Sequence, residues 1–137
     1  MTGVQTCALP ISFVLWDKLL PHDAFLQMQG IVEAPRDSAR DSEMQVRAAL
    51  GRTWYSDAPF GRAWTPMIEA IGVKPLASGA ATEWDLVPQL QITLSRRQHV
   101  QAGAGFRMPV NERASRTGSL VFYLLWDWAD GRIREGW

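Results

Sequence analysis

Residues 84–110 read "WDLVPQLQITLSRRQHVQAGAGFRMPV", and their period of two decides the fold class. Trp84, Leu86, Pro88, Leu90, Ile92 and Leu94 share one parity, whereas Asp85, Gln89, Gln91, Thr93 and Ser95 share the other. After "SRRQ" the alternation resumes. Val100, Ala102, Ala104, Phe106, Met108 and Val110 oppose His99, Gln101, Gly103, Gly105 and Arg107. Successive side chains of a strand point to opposite faces, so this pattern predicts two strands joined by a tight turn.

The pattern extends in both directions. "SLVFYLLWDW" sets Leu120, Phe122, Leu124, Trp126 and Trp128 against Ser119, Tyr123 and Asp127. Upstream, "AFLQMQGIVE", "EMQVRAALGRTW" and "AWTPMIEAIG" alternate more loosely, with Gln27, Gln29, Glu33, Arg47 and Glu69 on the polar side. Turn formers fill the gaps, in "APRDSARDS", "SDAPFGR", "GVKPLASGAAT", "SRRQ" and "NERASRTG". The expectation is an all-β, antiparallel meander of six strands near 24–33, 43–55, 63–72, 84–95, 99–110 and 119–128. Pro66 and Pro88 fit poorly inside strands, because proline has no N–H to give to a ladder.

Composition excludes several functions. Lys+Arg and Asp+Glu both number 14, so the chain lacks the basic field that nucleic acid normally requires. The single cysteine is Cys7, which leaves residues 13–137 without disulfides, thiolate metal sites or thiol catalysis. The two histidines, His22 and His99, are too isolated in sequence to suggest a metal site. Ser95 and His99 lie near one turn, but no nucleophile motif or third orienting group accompanies them. Gly103 and Gly105 sit inside a strand, unlike the glycines of a phosphate loop. Neither an enzymatic activity nor a bound cofactor or metal is expected.

The opening "MTGVQTCALPIS" is not a secretory signal, which needs a basic start and an apolar run of about 7–15 residues. Met1 to Ile11 resemble, residue for residue, the conceptual translation of a short-read sequencing adapter, as in a metagenomic fragment. Residues 1–12 are therefore expected to be an artefact without native packing. Residues 13–137 are expected to be the C-terminal part of a longer protein.

Two readings accommodate the alternation. The expected strands are about 10–12 residues long, against about 5–6 for ordinary soluble strands and about 9–11 for tilted membrane strands. Arg52 is the one charge on their apolar face, and it lies near a strand end. Trp54, Trp64, Trp84, Trp126 and Trp128 also fall on that face near segment ends, where an interfacial aromatic girdle would sit. Short and long connections alternate, as they do between the periplasmic and external sides of such barrels.

The stretch "WDLVPQLQITLSRRQHVQAGAGFRMPV…FYLLWDW" resembles the closing strands of bacterial outer-membrane barrels of porin or transporter type, including the phenol-degradation-associated outer-membrane family. The likeness covers residues 84–128 well and 23–72 loosely. It implies part of a transmembrane β-barrel, passing small solutes through a polar lumen and touching membrane lipid, its own upstream strands and other envelope proteins. Glu33, Arg47, Glu69, Asp85 and Gln89 would line that lumen, together with Gln91, His99, Arg107, Tyr123 and Asp127. Hairpin counting places Asp85 near Arg107, Arg107 beside Tyr123, and Glu69 near Arg47. The alternative is a soluble β-sandwich or lipocalin-like module, with the apolar face turned inward around a small apolar ligand.

Overall fold

A computed structural model describes residues 11–35, 41–56, 61–129 and 131–134. The described residues form one antiparallel sheet and no helix. Its strands are β1 (Ile11–Leu20), β2 (Ala24–Glu33), β3 (Glu43–Arg52), β4 (Trp54–Tyr55), β5 (Ala63–Pro75), β6 (Glu83–Thr93), β7 (Val100–Pro109) and β8 (Ser119–Trp126). Their order is β1-β2-β3-β5-β6-β7-β8, with β4 pairing to β5, so sequence neighbours are spatial neighbours throughout. The sheet is not closed into a barrel: β1 and β8 remain its two edges.

The all-β meander expected from periodicity is the fold observed. The expected strand 43–55 is β3 and β4 taken together, since both pair with β5 in one continuous register. The strand not foreseen is β1, which adds to β2 from Ile11 paired with Glu33 to Leu20 paired with Ala24. It begins inside the stretch set aside as an artefact, with Ser12 paired to Val32. Backbone pairing continues there because a ladder requires extended N–H and C=O groups and no particular side chain. The preceding residues, 1–10, lie outside the described ones.

Both awkward prolines fall where a ladder is interrupted. Pairing of β3 with β5 stops at Gly51–Met67 and resumes at Trp54–Trp64, omitting the rung that Arg52 would make with Pro66. The Thr53 N–H points to the other side, where it extends the β2–β3 ladder by donating to the Asp23 carbonyl at 2.9 Å. Likewise the β6–β7 ladder skips Val87 and Pro88 while β5–β6 pairing runs through Ile68–Pro88 without a break. Each proline thus turns its missing donor toward one neighbour and keeps the other.

Every rung of all seven pairings joins odd residues to odd and even to even. The period-two pattern of each strand therefore sums into two continuous faces. The even face carries Met28, Val46, Leu50, Ile68, Leu90, Phe106 and Phe122, all exposed, with no second layer over them among the described residues. Its charges, Lys18, Arg52 and Lys74, lie toward strand ends. The odd face is the inside of the curl. There Ala49, Thr65, Ile71, Asp85, Val87 and Thr93 are buried.

Connections alternate between the two ends of the sheet. Residues 21–23, 56–62 and 94–99 join strands at one end, and 34–42, 76–82 and 110–118 at the other. The first is tight because His22 and Asp23 both adopt left-handed backbone, with φ of 63° and 57°. Two consecutive positive φ values match the right-handed twist of the flanking strands.

Candidate functional site

The odd face encloses a trough of about 490 Å³. Its lining comes from β2 at one side (Phe25, Gln27) and β8 at the other (Val121, Tyr123), with β3, β5 and β6 forming the floor. Strand β7 contributes no side chain because Gly103 and Gly105 occupy its inward positions. Tyr123 exploits that gap: its ring lies across Gly103, and its hydroxyl donates to Gln91 Oε1 at 2.9 Å. Gln91 Nε2 in turn donates to Gln101 Oε1 at 2.5 Å. On the far side the Phe25 ring lies across Gly51, whose added Cβ would meet Phe25 Cζ at 2.5 Å.

Between the two rings sit Arg47 and Glu69, with Nη1 and Oε1 3.7 Å apart. Gln89 Nε2 donates to the other Glu69 oxygen at 3.3 Å. Arg47 Nε is buried without a hydrogen-bond partner, so its guanidinium is held by one loose contact and not by a fork. Thr53 and Thr65 share a hydroxyl–hydroxyl bond of 3.1 Å on the same floor. Five residues expected on a common polar surface (Arg47, Glu69, Gln89, Gln91 and Tyr123) therefore do share one cavity, and Glu69 does neighbour Arg47.

Asp85 and Arg107 belong to a separate cluster near the 110–118 connection. Asp85 is 2 % exposed and accepts from Arg107 Nε at 2.7 Å, with Arg107 Nη2 also against Oδ2. Arg116 closes the group from that connection, donating to both Asp85 oxygens at 2.7 and 2.8 Å and pairing with Glu83 at 3.2 Å. Asn111 fastens the same segment by accepting the Trp84 N–H at 2.8 Å and donating to the Thr82 carbonyl at 2.7 Å. A buried carboxylate requires such compensation. Arg107 pairs with Ser119, whereas Tyr123 faces Gly103, so the expected Arg107–Tyr123 proximity is not found. Register accounts for this: β7 and β8 close a tighter hairpin, in which Arg107 meets its partner four residues earlier, at Ser119.

The other expected lumen residues lie outside the trough. Glu33 faces Glu43 at the opposite end of β2 from Phe25. Asp127 follows β8, where its Oδ1 accepts the Ala129 N–H at 3.0 Å. His99, 2 % exposed, is packed into the β6–β7 turn beside the fully buried Ser95. Its Nε2 is 2.9 Å from the Arg132 carbonyl, which can only accept, and this places the ring proton on Nε2. Nδ1 then accepts from Ser95 Oγ at 3.1 Å, and Ser95 Oγ itself accepts the Val100 N–H at 3.1 Å. The arrangement clamps the turn to the segment after β8 and leaves Ser95 Oγ unexposed.

On the even face the tryptophans form two groups. Trp54 pairs directly with Trp64, Arg52 lies over the Trp54 ring at 5.4 Å, and Trp126 meets Trp128 edge-on at 5.9 Å, all at the end bearing 21–23 and 94–99. Trp84 lies at the opposite end, across Gly72. From Trp64 to Gly72 along β5 the separation is roughly 27 Å at about 3.4 Å per residue. Trp16, midway along β1 and also exposed, belongs to neither group. Small Ala102 and Ala104 leave an apolar groove of about 510 Å³ between Leu90, Ile92, Phe122 and Leu124.

Among the described residues no group of His, Cys, Asp and Glu is placed to hold a metal ion. Fold and faces together define a single curled antiparallel sheet, apolar without and, from β2 to β8, carrying the polar side chains within, while β1 shows Phe13, Leu15 and Leu19 on the inner parity. No family model, curated protein or solved structure matches the chain.

Proposed function

We propose that the chain forms part of the wall of a bacterial outer-membrane β-barrel of porin or transporter type, with the odd face lining a path for small solutes and the even face meeting lipid. The observation that carries the reading is the unbroken parity of the rungs: it gathers large apolar side chains on the convex side, where nothing covers them. In water, such a continuous face would mark an interaction surface or an aggregation hazard. In a bilayer it is the required exterior.

The tryptophan groups support the same reading. A tilt of about 40° foreshortens the 27 Å between them to about 20 Å, comparable with the roughly 25 Å apolar band of such barrels. The end with Trp54, Trp64 and Trp126 would face the periplasm, since its connections include the tightest ones. Lipid, further strands pairing with the free edges of β1 and β8, and transported solutes would be its partners. The lipocalin-like alternative needs the apolar face inside the curl, whereas the trough is lined by the polar parity. Outer-membrane fractionation of the chain expressed with a signal peptide, with heat-modifiable gel migration, tests the proposal. Recovery as a soluble, monodisperse monomer would reject it.

A further inference from the structure

The geometry points to a binding site in the trough for a neutral, polyhydroxylated solute such as a sugar. The inference rests on the reading of the odd face as the solute-bearing one and adds the chemical class of the solute. Three features of the site carry it.

The first is charge. Arg47 and Glu69, the ionisable pair between the two rings, already face one another at 3.7 Å. A carboxylate ligand approaching Arg47 would come up against Glu69, and a cation approaching Glu69 would come up against Arg47. A hydroxyl can accept from the one and donate to the other, bridging both at no net charge.

The second is the supply of uncharged donors and acceptors. Gln89 uses Nε2 toward Glu69 at 3.3 Å and retains its carbonyl oxygen and a second N–H. Thr53 and Thr65 share one hydrogen bond and keep further lone pairs. An apolar ligand would strip water from these groups and return nothing. Hydroxyls, which both donate and accept, satisfy them.

The third is the pair of aromatic platforms. Phe25 and Tyr123 reach across Gly51 and Gly103 on opposite sides of the trough, and both rings line the cavity. A sugar ring offers hydroxyls at its rim and C–H groups on its faces, which suits amides below and rings beside. At about 490 Å³ the trough lies within the roughly 300–1,000 Å³ typical of small-molecule sites.

The test uses the full chain folded in detergent micelles, with strand content followed by circular dichroism and binding by saturation-transfer NMR. Maltose is the probe, and benzoate and choline are the charged controls. Saturable maltose binding, about tenfold weaker in Gln89→Leu and in Thr65→Val with strand content unchanged, is the expected result. A folded chain that fails to bind maltose, or binds benzoate or choline at least as well, overturns the inference. So does binding indifferent to both substitutions. Lipid contact is read separately by depth-resolved labels, so loss of the membrane reading and loss of the sugar site give different results.

Discussion

Tyr123 lies across Gly103, a residue of the neighbouring strand, to reach Gln91 on the strand beyond. The two positions form a direct rung, so the contact depends on glycine having no side chain there. Gly103→Ala should push the ring off its seat, break the bond to Gln91 and destabilise the sheet by about 1–3 kcal/mol. Chemical denaturation checks this, with Gly30→Ala as the control because a Cβ there meets nothing within 4 Å.

The two arginines near carboxylates should behave differently. Arg47 meets Glu69 through one 3.7 Å contact, so Arg47→Gln should cost no more than about 1 kcal/mol while shifting the ion selectivity of the solute path toward cations. Planar-bilayer reversal potentials measure the second effect in the assembled barrel.

Asp85, by contrast, anchors Arg107 and Arg116 from a buried position. Asp85→Ala should cost about 3–5 kcal/mol, because it strands two guanidinium groups around a vacated site. Amide hydrogen exchange across residues 110–118 should accelerate well before that of β6. Glu83→Gln, which removes only the outer contact of Arg116, should leave both nearly unchanged.

The Ser95–His99 pair should act as a clamp with no hydrolytic role. Ser95→Ala removes the acceptor of the Val100 N–H and the partner of His99 Nδ1, at a cost of about 1–3 kcal/mol. Faster exchange at Val100 and Asp127, whose N–H donates to the His99 carbonyl, is the expected signature. Esterase activity toward activated esters should be the same with and without the substitution.

The alternation of β2, β5, β6, β7 and β8 made them legible, because each strand carries two faces of opposite polarity. Strand β1 escaped because "FVLWDKLL" is apolar on both parities: Phe13, Leu15 and Leu19 share the odd face with Asp17, and all three are exposed. The break at Thr53 was hidden for another reason. It arises from Pro66 on the partner strand, and the sequence of β3 carries no sign of it. Within the site, short-range hairpin counting found Asp85 with Arg107 and Arg47 with Glu69. Arg116 and Asn111 were missed since a loop residue's partner depends on how the loop folds back, which periodicity does not encode.

The central claim, that even residues meet lipid and odd residues meet water, is tested most directly by a nitroxide scan along β6. With Cys7→Ser as background, single cysteines at residues 84 to 92 are spin-labelled in the full chain reconstituted in phospholipid vesicles. Collision with oxygen, which concentrates in lipid, and with a polar nickel chelate, which stays in water, should alternate with a period of two. Positions 84, 86, 90 and 92 should favour oxygen, and 89 and 91 the chelate; position 85 is left out because Asp85 is buried under Arg107 and Arg116. Equal chelate access at both parities, or an even face shielded from lipid and solvent alike, would contradict the account.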